Sequence, residues 1–207
     1  MSEKSLVTIS QAEAVRKMAN EKKVGRDVWQ KAMDDGGFSR FLDALKNGTL
    51  EFVPPPGARI QIVHIRFNPK RDWHEAINAA GPNTPDSYNV RKVGDQYPPI
   101  DGEDTEGDLV LLNFPAGDGN WDKANSWAQG MGLKKTAPRE VFAIGEQHPT
   151  LHRQLGCNPM YVVATTECSF VGHRHACDVW WRGSEREADL DWVGGFGDSG
   201  AWFAFRK

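Results

Sequence analysis

Cysteine, long apolar runs and net charge are all scarce in this 207-residue chain, and each scarcity removes a class of protein. Three cysteines in no framework spacing exclude a disulfide-stapled secreted scaffold and favour a reducing compartment. Met1 to Ser10 lacks the apolar core of a signal peptide, and no later stretch could span a bilayer, so a soluble, cytoplasmic protein with no membrane partner is expected. A formal charge of -3, spread evenly along the chain, argues against nucleic acid as a partner. Motifs with a built-in mechanism are missing too. Gly117-Asp118-Gly119-Asn120 lacks the Lys-Ser/Thr of a phosphate loop, and the glycines around Ser199 form no nucleophile elbow.

What is present is an ordinary folded composition, 39% hydrophobic and 26% charged, with a high count of eight Trp and one pattern used twice. The first copy runs Phe67, Pro69, Trp73, Ala76, Ala80 and closes on Val93-Gly94-Asp95-Gln96-Tyr97-Pro98. The second runs Phe114, Pro115, Trp121, Ala124, Ala128 and closes on Ile144-Gly145-Glu146-Gln147-His148-Pro149. Such self-similarity marks a reused supersecondary unit.

The chain divides by composition into a helical N-terminal segment (1–50), a Pro-rich spacer (51–57) and an α/β domain (58–207). Ser10 with Glu13 forms a capping box, and glycines at 25, 36, 37 and 48 punctuate three short helices, an appendage with too little basic excess to read DNA. Pro54-Pro55-Pro56 predicts a stiff polyproline II spacer. Arg59 to Phe67, apolar on both faces, predicts a central strand. Each copy (about 58–99 and 108–150) then predicts a β-α-β unit: helices at Asp72–Ala80 and Trp121–Gly130, return strands at 88–93 and Glu140–Ile144, and an acidic linker over Pro98–Gly107 between them. Short β-rich runs from about 158 to 207 predict an antiparallel meander. The fold class expected is mixed α/β.

Thr136-Ala137-Pro138-Arg139-Glu140-Val141-Phe142-Ala143-Ile144-Gly145-Glu146 and Val162-Val163-Ala164-Thr165-Thr166-Glu167-Cys168-Ser169-Phe170 resemble uncharacterised proteins encoded in environmental bacterial genomes. The resemblance spans about the C-terminal half and implies no activity.

Two constellations could carry chemistry. With Gly172-His173 as a hairpin turn, Cys168 would face Cys177 and Phe170 would face His175, which puts Cys168, His175 and Cys177 on one sheet face. These are three potential zinc ligands, with His152 or Cys157 as a possible fourth, although the same face is apolar enough to be core. On the opposite face Thr165, Glu167, Arg174, Asp178 and Trp180 make a mixed surface, with Glu167 placed opposite Asp178, that could bind a polar ligand or a protein partner. His148 and His152 read as helix-capping or surface residues. These residues predict a non-catalytic binding module that uses the aromatic and polar face. The alternative is a small zinc-dependent hydrolase or transferase built on the cysteine face.

Overall fold

The computed structural model describes residues 13, 16, 17, 20, 25–34, 36–39, 42, 52, 54–99 and 105–207. The chain forms two compact units, Met1–Leu50 and Glu51–Lys207. In the first, helix α1 (Arg26–Asp34) follows Gly25, whose carbonyl accepts from the Trp29 amide at 3.0 Å. Trp29 packs on Phe38 with ring centroids 5.5 Å apart. The Ser10 cap and most of the two neighbouring helices lie outside the described residues.

The second unit mixes helices with a seven-stranded sheet, ordered β1-β2-β7-β4-β5-β6 with β3 paired onto β7. The strands are β1 (Arg59–Phe67), β2 (Thr105–Asn113), β3 (Lys134–Lys135), β4 (Met160–Phe170), β5 (His173–Arg182), β6 (Glu185–Trp192) and β7 (Ala201–Arg206). All pairings are antiparallel except β4 with β7. Strands β4, β5 and β6 meander through two tight turns, and the chain then returns to insert β7 between β2 and β4. Among the described residues no helix is long and apolar enough to cross a membrane.

Helix α2 (Trp73–Ala80) starts where the Asp72 carboxylate accepts from the amides of His74 and Glu75, and buries Trp73, Ala76, Ile77 and Ala80. Helix α3 (Trp121–Gly130) starts where Asn120 accepts from Lys123 N, and buries Trp121, Ala124 and Ala128. In each copy the repeated Trp and Ala residues are thus the buried stripe of the helix that follows a strand. Strands β1 and β2 are antiparallel neighbours, and the two helices lie in different cores. Leu109 and Leu111 pack with α2 in one, Leu112 with α3 in the other.

The return strands of the two β-α-β units are not formed. Residues 89–92 and 94–96 are 3-10 turns, and Glu140–Ile144 lies inside helix α4 (Pro138–Gln147). Pro138 begins α4 and the Glu140 carboxylate accepts from the Ala137 amide at 2.7 Å. The Val141–Ile144 run is buried all round, and an apolar run of that length has no period to separate helix from strand. Helix α5 (Leu151–Gln154) follows, so His148 ends α4 where a helix start was expected.

Other expectations change as well. Strand β1 is an edge strand, with His64 and Arg66 exposed and paired to Asp108 and Glu106 of β2. The acidic stretch to Gly107 is partly strand, since β2 begins at Thr105. Pro55 closes a turn onto Ala58 (N···O 2.9 Å), with Pro56 and then Gly57 (φ +80°) at its centre, as a type II turn requires, so the proline run bends. The β6 edge is covered: Asn83 N donates to Arg186 O, and the Asn83 and Thr84 side chains accept from the Arg186 and Ala188 amides.

Candidate functional site on strands β5 and β6

The β4–β5 turn consists of Val171 (φ +49°) and Gly172 (φ +78°), so Phe170 faces His173. Two central residues at positive φ are the hallmark of a two-residue type I′ hairpin. Moving the turn back by one residue moves every pairing by two. Cys168 therefore faces His175, and Cys177 faces Leu190 of β6. The His175 ring packs edge-on against Phe170 with centroids 5.6 Å apart, and Nδ1 lies 3.1 Å from the His173 carbonyl. Burial pushes both the Cys168 and the Cys177 thiols up, and the Tyr97 hydroxyl lies against them. Of the expected fourth ligands, His152 turns to the Gly183 carbonyl at 3.1 Å, and Cys157 accepts from Arg59 Nη2 at 2.9 Å. Among the described residues no three His, Cys, Asp or Glu side chains gather where they could hold a metal. Cys168 and Cys177 thus lie in the packed core, and His175 is half-buried beside Phe170.

The opposite face is split. A register shift between Val163 and Glu167 carries β4 away from β5 there, because the bulged stretch bonds to the segment before α4 instead. Thr136 N donates to Thr165 Oγ1 at 2.9 Å, Thr165 Oγ1 donates to Ala204 O at 2.8 Å, and Thr166 N donates to Thr136 O at 3.0 Å. Thr165 is thus fully buried and not part of a surface. Glu167 faces Ala176 and not Asp178. Its carboxylate accepts from Arg174, 2.6 Å at the closest, and Arg174 also reaches Asp122 at 3.2 Å and lies 5.0 Å from the Trp121 ring centroid. Glu167 and Arg174 therefore belong to the α3 end of the face.

Asp178 and Trp180 lie toward the other end. Trp180 stacks on Tyr161, its partner on β4, with centroids 5.9 Å apart and planes 4° from parallel. Arg182, two residues further along the same face, holds its guanidinium 5.6 Å from the Trp180 ring centroid. Asp178 is 0% exposed, and among the described residues neither carboxyl oxygen nor the Trp180 indole N–H has a hydrogen-bond partner. A buried polar group without a partner costs about 1–3 kcal/mol, so such an atom stands out from the rest of the core.

The partners of these residues on β6 are acidic without exception: Arg182 faces Glu185, Trp180 faces Glu187, Asp178 faces Asp189 and Ala176 faces Asp191. Successive side chains of a strand alternate between faces, so these four carboxylates form a row beside Asp178. Glu187 accepts from the Tyr88 hydroxyl at 3.0 Å. The row was legible as Glu185-x-Glu187-x-Asp189-x-Asp191, acids at every second position of a β-rich run. It escapes a search for catalytic spacing because its signal is strand period.

Burial is the largest cause holding Asp178 well above the usual carboxylate range, and the charges of Asp191 and Asp189 add to it. Burial also pushes Asp189 up to about 6, helped by Asp191 and Glu187 and opposed by the Leu190 amide. Asp191 is raised by burial and partly lowered by His175 from the other face. A carboxyl raised on folding contributes stability that is complete below its unfolded value and is lost as pH rises through its folded one. Asp189→Asn is therefore expected to gain stability relative to wild type between pH 4 and pH 6.5, measured by urea unfolding across that range. A difference independent of pH would contradict the assignment.

The fold and this face define a mixed α/β protein with a seven-stranded sheet that carries an acidic and aromatic patch toward one edge. Comparison with family models, with curated proteins and with solved structures finds no match in any of the three.

Proposed function

We propose that this chain is a soluble, cytoplasmic, non-catalytic binding module whose sheet face around Trp180 and Asp178 receives a positively charged partner. The observation that carries this reading is the Asp178 carboxyl, buried beside Asp189 and Asp191 with no donor on either oxygen among the described residues. Three carboxyls whose mutual repulsion is relieved by an incoming cation, next to an aromatic stack, suit charge-complementary binding. At the border of that face Arg174 is already paired with both Glu167 and Asp122. On the same reading the two strand–helix copies descend from one reused unit, which supplies the scaffold.

Fluorescence anisotropy with a labelled octalysine peptide at low ionic strength tests the proposal, with octaglutamate as control. Octalysine should bind, octaglutamate should not, and Asp191→Asn or Trp180→Ala should weaken binding by about tenfold, as loss of a well-placed contact worth about 1.4 kcal/mol does. Asp191 keeps an exposed surface although its carboxyl is partly shielded, so its substitution leaves the core intact. Affinity should rise from pH 5 to pH 7.5 as Asp189, pushed up to about 6, releases its proton to solvent and the face gains negative charge. Octalysine binding that is indifferent to both substitutions would overturn the proposal.

A further inference from the structure

We propose that the occupant of this face is an extended peptide segment of another protein carrying Arg or Lys at every second position, laid along strand β6. The inference rests on the binding reading above and adds the geometry of the partner. Glu185, Glu187, Asp189 and Asp191 occupy alternate positions of one strand on one face. Side chains two apart on a strand stand about 6.7 Å from each other, so the row is about 20 Å long. An extended peptide repeats with the same period and presents one cation to each acid. In a helix same-face neighbours are three or four apart, so cations at every second position point around the axis and do not line up with the row.

A second observation independent of the acids' surface charge points the same way. Asp178 lies directly across from Asp189, fully buried, with both carboxyl oxygens lacking donors among the described residues, in the middle of the row. Beside it Arg182 already holds a guanidinium over the Trp180 ring, which shows that the Trp180–Tyr161 stack accepts that group.

The segment lies on the face and does not extend the sheet. The edge amides of β6 at Arg186 and Ala188 are taken by Asn83 and Thr84, and the Leu190 amide by the Asp189 carboxylate at 2.7 Å. Strand addition needs those groups free. The partner is therefore recognised by side-chain charge at strand spacing.

Two labelled peptides of the same composition separate this from charge attraction alone: four Arg-Ser repeats, and four Arg followed by four Ser, both end-capped. The alternating peptide aligns four cations with the row where the block peptide, extended, aligns two. Two further ion pairs should make it bind about tenfold tighter. Glu185→Gln and Asp191→Asn, at the two ends of the row, should each narrow that preference. Equal affinities, or tighter binding of the block peptide, overturn the alternating-cation inference while leaving the cation-binding reading in place. No binding of either peptide overturns both.

Discussion

Replacing Asp178 by Val is expected to stabilise the protein by about 1–3 kcal/mol, raising the melting temperature by roughly 2–10 °C. The substitution exchanges a planar carboxyl for a branched apolar group about one methylene larger and adds β propensity. It also removes a carboxyl whose two oxygens are buried without donors on a strand where Val163 is the β4 partner. Burying such a group costs free energy in either protonation state: as an acid it lacks a hydrogen-bond partner, and as an anion it adds repulsion from Asp189 and Asp191. Asp178→Asn separates the two costs. It leaves an unpartnered polar group but cannot ionise, so its gain over wild type should grow with pH, whereas the gain of Asp178→Val should already be present at pH 5. Calorimetric melting at pH 5 and pH 8 measures both. If Val instead lowered the melting point, Asp178 would be a structural anchor, and a site built around its unsatisfied carboxyl would fall. The expected companion result is weakened peptide binding by the more stable variant, the trade between stability and function found where a protein keeps a costly group for a ligand.

The second large effect runs against helix propensity. Gly145 lies within α4, where Ala is ordinarily better than Gly by about 1 kcal/mol. A Cβ there would stand 2.7 Å from the Ala80 carbonyl oxygen of α2 and 3.0 Å from Val179 Cγ1 of β5. The Ala80 oxygen is held in place by the Arg186 side chain, which donates to it from β6. Gly145→Ala should therefore destabilise the protein by about 1–3 kcal/mol, because a backbone carbonyl cannot yield as a flexible side chain would. Gly130→Ala is the control. It ends α3, nothing lies within 4 Å of its Cβ position, and it should stabilise by about 0.4–1 kcal/mol. Urea unfolding of the two variants should move in opposite directions. A stabilised Gly145→Ala would mean that α2 and α4 do not approach as closely as described. The counterpart glycine of the first copy, Gly94, is crowded by its own Trp73, at 2.9 Å from Cδ1. The repeated glycines thus share a need for space but meet different neighbours.

These particulars divide what was readable in the chain from what was not. The helices at Asp72–Ala80 and Trp121–Gly130 were legible, and the structure shows Asp72 and Asn120 as their caps, short polar acceptors that satisfy amides a helix start leaves open. Trp73 and Trp121 announced the buried side of those helices by spacing alone, and the alternating runs of β4 and β7 announced strands. The mixed α/β class was legible for these reasons. The geometry of the candidate face was legible in part. Trp180 and Asp178 were singled out together and do share one face, because side-chain alternation along a single strand needs no knowledge of its neighbours. The acids of β6 were equally open to that reasoning.

Everything that depends on a second segment was beyond it. The β4–β5 register turned on Val171, not His173, sharing the turn with Gly172, and a β-branched residue at positive φ is not foreseeable from propensity. Thr165 became core because Thr136, distant in sequence, supplied the partners that let β4 bulge. Val141–Ile144 became helix because it is enclosed on every side, and β1 became an edge because nothing in its own residues states which strands will flank it. Local chemistry determined where elements begin and which side of each faces inward. Pairing, burial of Asp178 and the assembly of the acidic row were decided only by tertiary structure, since each is a relation between strands that no single strand contains.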